Sequence, residues 1–162
     1  MRIRTLYFSA SLIKKLYILI CVSAIFLGGL IYIFLRNSDP LFFSWVGHFG
    51  LDNWMISLRQ KFQVLELQFP HWFVNSLPNG LWAFAYACLI MLIWTDNRSW
   101  LRTIWISSIP VLVFGFELMQ YFGLIKGTFS ILDLVFGAGG IVIGYIAGSF
   151  VYRSKCHKKL TI

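Results

Sequence analysis

Leu16 to Leu35 is a run of twenty residues without a charge. A helix rising 1.5 Å per residue needs about that many apolar residues to cross the ~30 Å hydrocarbon core of a bilayer. Three further apolar stretches follow, at about 78–95, 103–124 and 131–152. Together they predict an all-α fold, an integral membrane bundle of four transmembrane helices in a single domain covering 1–162. With 59% hydrophobic and only 12% charged residues, a chain of 162 residues is too apolar for an ordinary soluble domain. A cleaved signal peptide is the rival reading of the first run. Its apolar core would be ~7–15 residues long and end in a small-x-small site. This run is longer and ends in Ile33, Phe34, Leu35 and Arg36, so a retained anchor is expected.

A net charge of +8 would suit a nucleic-acid partner if it were gathered on one binding face. Instead Arg2, Arg4, Lys14 and Lys15 precede the first span, and Arg153, Lys155, Lys158 and Lys159 follow the last. Such flanking clusters are topology signals with anionic lipid headgroups as neighbours, and no nucleic-acid partner is expected. Ten Lys and Arg lie in the amino-terminal segment, the turn at 96–102 and the tail. The two opposite loops hold four, Arg36, Arg59, Lys61 and Lys126. The positive-inside rule therefore places both termini in the cytoplasm. Cys21, Cys88 and Cys156 show neither metal nor disulfide spacing, and His48, His71 and His157 are dispersed. No metal, cofactor or disulfide is expected.

Asn37 to Pro40 break the first helix. Beyond them Leu51, Met55, Leu58, Phe62 and Leu65 alternate spacings of four and three, with Asp52, Arg59, Gln60, Lys61 and Gln63 largely on the other side. That pattern predicts one interfacial amphipathic helix at about 51–66. With Trp45, Trp54 and Trp72 nearby, it lies flat at the outer interface or over the bundle, as simple cover or as a lid. Pro78 suits the first turn of the second span, with Asn75 and Asn79 at its mouth. Pro110, inside the third span, frees a carbonyl and bends the helix, and Ser107 and Ser108 can satisfy the freed groups. Phe84, Trp94 and Trp105 read as packing or interface anchors.

Two carboxylates interrupt the apolar second half. Glu117 and Gln120 are three apart and share a helix face. A six-residue break holding Lys126, Gly127 and Thr128 turns the chain back, and Asp133 follows near the start of the fourth span. Gly137, Gly140, Gly144 and Gly148 continue from Asp133 as one stripe. Glycine stripes admit a close neighbour, either within the bundle or in a second copy that makes a homo-oligomer through Gly140, Gly144 and Gly148. A carboxylate at the centre of a lone inserted helix costs roughly 2.5–3.5 kcal/mol, so both acids need a compensating role. By the orientation above, Asn79, Lys126 and Asp133 lie near the outer surface, with Glu117 about 10 Å deeper by helical rise.

The pair Glu117–x–x–Gln120, the loop sequence G-T-F-S from Gly127, Asp133 three residues on and the glycine-rich helix resemble the carboxyl-terminal half of the VanZ-like family, over about residues 110–150. The resemblance implies a small integral protein of the bacterial inner (plasma) membrane, with Glu117, Gln120, Thr128 and Asp133 at the family's polar positions. It also implies a cell-envelope role linked to glycopeptide (teicoplanin) resistance. Two positions depart from many family members, Lys126 standing near where they carry arginine in the loop and Gly137 where they carry asparagine.

Three functions fit these residues. In the first, Glu117, Gln120, Lys126, Thr128, Asp133 and Asn79 bind a polar lipid headgroup or glycan, with membrane lipids, an envelope glycolipid or a cell-wall precursor as the ligand class. In the second, Glu117 and Asp133, in unlike environments, are the acid–base pair of a membrane enzyme acting on an envelope glycolipid. In the third, the carboxylates are structural, Asp133 capping its helix or pairing with Lys126, and the protein supports the assembly of others.

Overall fold

The computed structural model describes residues 2–35, 57, 60–62, 68–94, 99–125 and 128–159. The helices in these segments are α1 (Arg2–Phe34), α2 (His71–Asn75), α3 (Leu77–Ile93), α4 (Trp100–Tyr121) and α5 (Ile131–Lys159). Four stretches are long and apolar enough to cross a membrane: Leu12–Phe34, His71–Ile93, Trp100–Tyr121 and Ile131–Phe150. The second combines α2 and α3. Hydrogen bonds from the Ser76 amide to the Trp72 carbonyl and from the Gly80 amide to the Ser76 carbonyl carry the chain through the join. Pro78 sits in the first turn of α3, where its missing N–H costs little. Most of the expected interfacial helix at 51–66 lies outside the described residues. Ser57 and 60–62 are helical, and Phe62 packs on Phe34 with ring centroids 5.1 Å apart. That short portion therefore sits at the end of the bundle where α1 stops.

α3 is the central helix because small residues leave room on several of its faces. Gly80, Ala83, Ala85, Ala87 and Cys88 are all buried. α1 runs antiparallel along one face, where Cys21 and Ala24 pack with Ala85 and Cys88. Trp82 lies over Gly28, and its indole N–H donates to the carbonyl of Ile25 at 3.3 Å. A Cβ at Gly28 would stand 2.7 Å from that indole nitrogen. α4 meets another face through Ile109, which joins Ala87 and Ile90.

α5 runs parallel to α3 and crosses it closely. Gly140 abuts the carbonyl of Gly80, Gly144 the carbonyl of Phe84, and Gly148 the Cβ of Met91. Of the two neighbours open to the glycine stripe, then, it is α3 of the same chain that covers it. Outside, Leu19 and Phe26 of α1, Val111 and Phe116 of α4, and Ile143 and Phe150 of α5 are exposed, the surface that suits hydrocarbon as solvent.

A polar bond ties α4 to α3. The Ser108 hydroxyl donates to the carbonyl of Trp105 at 2.7 Å, so its oxygen accepts from the Tyr86 hydroxyl at 2.9 Å. This serine bond goes to Trp105, one residue before the Ile106 carbonyl that Pro110 deprives of an amide. Interhelical hydrogen bonds in membranes average only ~0.6 kcal/mol, because the separated helices find other partners. Tyr86→Phe is accordingly expected to lower the thermal midpoint in detergent slightly. Ser108→Ala should match it, and the double variant should fall no further than either.

Candidate functional site

One end of the bundle collects the stop of α1, the start of α2 and α3, the end of α4 and the start of α5; we call it the mouth. α4 ends there earlier than its apolar pattern suggests. Gly123 takes φ +68°, the left-handed conformation that glycine adopts without strain. The amide of Leu124 bonds the carbonyl of Met119 at 2.8 Å and that of Gly123 the carbonyl of Gln120 at 3.0 Å, which is the Schellman closure of a helix. The helix therefore stops at Tyr121 rather than Leu124. Ser130, the residue before α5, donates its amide to Oε2 of Glu117 at 3.3 Å.

That early stop corrects the expected depth of Glu117. A Cβ on Gly137 of α5 would run into Val113 of α4, so the two helices face each other at that height. One turn toward the mouth along each antiparallel helix brings Asp133 level with Glu117. The 10 Å difference read from helical rise disappears, because Glu117 stands one turn from its helix end and the loop folds back over it. Each carboxylate is only 6% exposed. The stripe geometry holds as well: Asp133, Gly137, Gly140, Gly144 and Gly148 are all buried.

The same register places the other candidates. Two turns toward the mouth from the Tyr86–Ser108 bond, Asn79 of α3 is level with Gly115 and within a turn of Glu117. Asn79 and Gln120 are half-buried and Thr128 is exposed; Lys126 lies outside the described residues. The fold thus gathers Glu117, Asp133 and Asn79 at neighbouring heights and leaves Thr128 at the surface. Ser76, 2% exposed, joins them from the α2–α3 join. Sequence reasoning passed over Ser76, and gave Ser130 no role beyond the loop motif, although a serine just before an apolar periodic run is a helix-start signal.

The two acids are held differently. Glu117 takes the Ser130 amide and is, with Ile109, one of the two buried residues of α4. α4 therefore buries one apolar and one polar side chain. Asp133 lies in the first turn of α5, where the positive end of the helix dipole favours an acid by ~0.3–1 kcal/mol. Its Oδ1 is enclosed and has no hydrogen-bond partner among the described residues. Among those residues no group of three or more His, Cys, Asp or Glu is assembled for a metal.

Aromatic rings surround this end. Trp72 stacks on Phe136 with centroids 5.7 Å apart, Phe69 on Phe73 at 4.7 Å, and Tyr121 meets Phe129 edge-on at 5.3 Å. Of these, Trp72 and Tyr121 are of the types that favour the boundary between hydrocarbon and headgroups. Fold and site together define a helical bundle with four candidate membrane spans and a buried pair of carboxylates beneath an aromatic rim. Compared with protein-family models, with curated proteins and with solved structures, the chain finds no match.

Proposed function

We propose that this is a VanZ-like multi-pass protein of the bacterial inner membrane that binds a polar lipid headgroup, or the glycan of an envelope lipid, at the carboxylate cluster. Its service would be envelope maintenance or glycopeptide resistance. Both termini are cytoplasmic in this reading, so the mouth opens to the outer leaflet, where envelope lipids and cell-wall precursors present their polar groups.

The observation that carries it is Asp133 Oδ1. More than ~90% of buried polar atoms in native proteins have a partner, and an enclosed carboxylate oxygen without one is costly. Hydroxyl or amine donors of a headgroup supply the missing bond. Glu117 supports a second, structural reading for itself alone, since its bond to Ser130 clamps the loop onto α4.

Native mass spectrometry of protein extracted gently from its own membrane separates the two, with melting recorded for each variant. Wild type is expected to carry a defined lipid or glycolipid mass, and Asp133→Asn to lose that mass while melting no lower than wild type once both are delipidated. Glu117→Gln keeps an oxygen for the Ser130 amide, so it too should stay folded. The same mass on wild type and Asp133→Asn would end the binding proposal.

A further inference from the structure

An open apolar groove of about 520 Å³ runs between α3 and α5, on the other flank of their crossing from the Gly137–Val113 contact. Its size falls within the ~300–1,000 Å³ usual for small-molecule sites. Gly80, Gly139 and Gly140 are among its lining residues, with Leu77, Phe84 and Phe136. A Cβ added at Gly139 would meet nothing within 4 Å. At the mouth end Trp72 stacks on Phe136. Asp133 stands one turn above Phe136 on α5, on the buried stripe that also holds Gly140.

An apolar slot beside a glycine step loses dispersion contacts unless something fills it, and in a bilayer the filler at hand is an acyl chain. One turn from Phe136, toward the mouth, Asp133 holds an enclosed carboxylate oxygen that has no donor among the described residues. A charge-assisted donor satisfies such an oxygen about twice as well as a neutral one. Within two turns of that height, the described residues of α2 to α5 include no Lys or Arg.

We propose that groove and carboxylate together hold one phospholipid with a primary-ammonium headgroup. Its chain lies along Gly80, Gly139 and Gly140, and its ammonium donates to Asp133 Oδ1. This rests on the headgroup reading above and names its ligand.

The test places the full-length protein in nanodiscs of equal parts ethanolamine and choline phospholipid with identical chains. Lipid retained after transfer to detergent is then counted by native mass spectrometry. The choline nitrogen is quaternary and donates no hydrogen bond. Wild type is expected to favour the ethanolamine lipid by roughly tenfold, the worth of one hydrogen bond to a charged group. Asp133→Asn should retain the two lipids alike. Gly139→Leu, which fills the groove from an open position, should retain neither while melting as delipidated wild type does.

Equal retention of the two lipids by wild type overturns the ammonium assignment, and wild-type retention by Gly139→Leu overturns the groove. If Asp133→Asn still loses the mass that co-purifies from native membranes, only this inference falls. If it changes neither measurement, the headgroup reading falls with it.

Discussion

Gly140→Leu is expected to push α5 off α3 and to cost about 3 kcal/mol or more, the upper end for an overpacked contact, while Gly139→Leu one position along costs almost nothing. Most overpacked cores relax by moving a flexible side chain, but here the obstacle is backbone. A Cβ at Gly140 meets the carbonyl of Gly80 and approaches the amide of Phe84 at 3.0 Å. Gly144 repeats the arrangement one turn on, its Cβ position running into the carbonyl of Phe84 and lying 2.9 Å from the Cβ of Ala87. Neither helix can yield without separating along the whole crossing. In lipid, packing and hydrogen bonds carry helix association, since hydrocarbon is as apolar as leucine, and separation therefore loses most of what joins α5 to the bundle. Gly139 is the matched control: same helix, same replacement, open space around its Cβ. The fraction of folded protein surviving a heating series in detergent, read by size exclusion, compares the two. Equal survival would mean that the α3–α5 crossing does not hold the bundle together.

The glycine stripe also shows what could be read from sequence and what could not. A 3.6-residue period puts Asp133 on the same face as Gly137, Gly140, Gly144 and Gly148 whatever that face meets, and all five are buried. The partner was not legible, because small residues invite any helix. Only the small residues of α3, read together with the crossing, identify it. Length and composition alone mark out the candidate spans, since twenty apolar residues have few other uses.

Glu117 was misplaced in depth because helical rise was counted to Leu124. One glycine in the left-handed region, Gly123, shortens α4 and sends the loop back to bring the Ser130 amide to the carboxylate. Contacts between residues far apart in the chain left no local trace. Tyr86 finds Ser108, and Trp72 finds Phe136. Cys21 and Cys88, which show no spacing pattern, lie in one buried cluster with their thiols in hydrogen-bonding reach.

Asp133→Asn is expected to stabilise the delipidated protein by roughly 1–2 kcal/mol, part of the usual penalty for a buried polar group left without its partner, since the amide still carries polar atoms of its own. Asparagine has almost the same shape, so no cavity opens, and as a neutral amide it is less costly to enclose than a carboxylate. One term opposes the gain. An acid in the first turn of α5 interacts favourably with the helix dipole, worth ~0.3–1 kcal/mol, and the variant gives that up. Desolvation is the larger quantity because Oδ1 is enclosed without a partner among the described residues, so the net sign is stabilising.

In native membranes the order should reverse. A ligand that binds only the folded protein adds RT ln(1 + [L]/Kd), ~2.7 kcal/mol at a hundredfold excess over Kd, and it adds this to wild type alone. Melting the pair before and after delipidation therefore reads the site through a change of sign, which a purely structural Asp133 cannot produce. A carboxylate that merely caps α5 would leave Asp133→Asn the less stable protein in both conditions, and that outcome would remove Asp133 from any binding site.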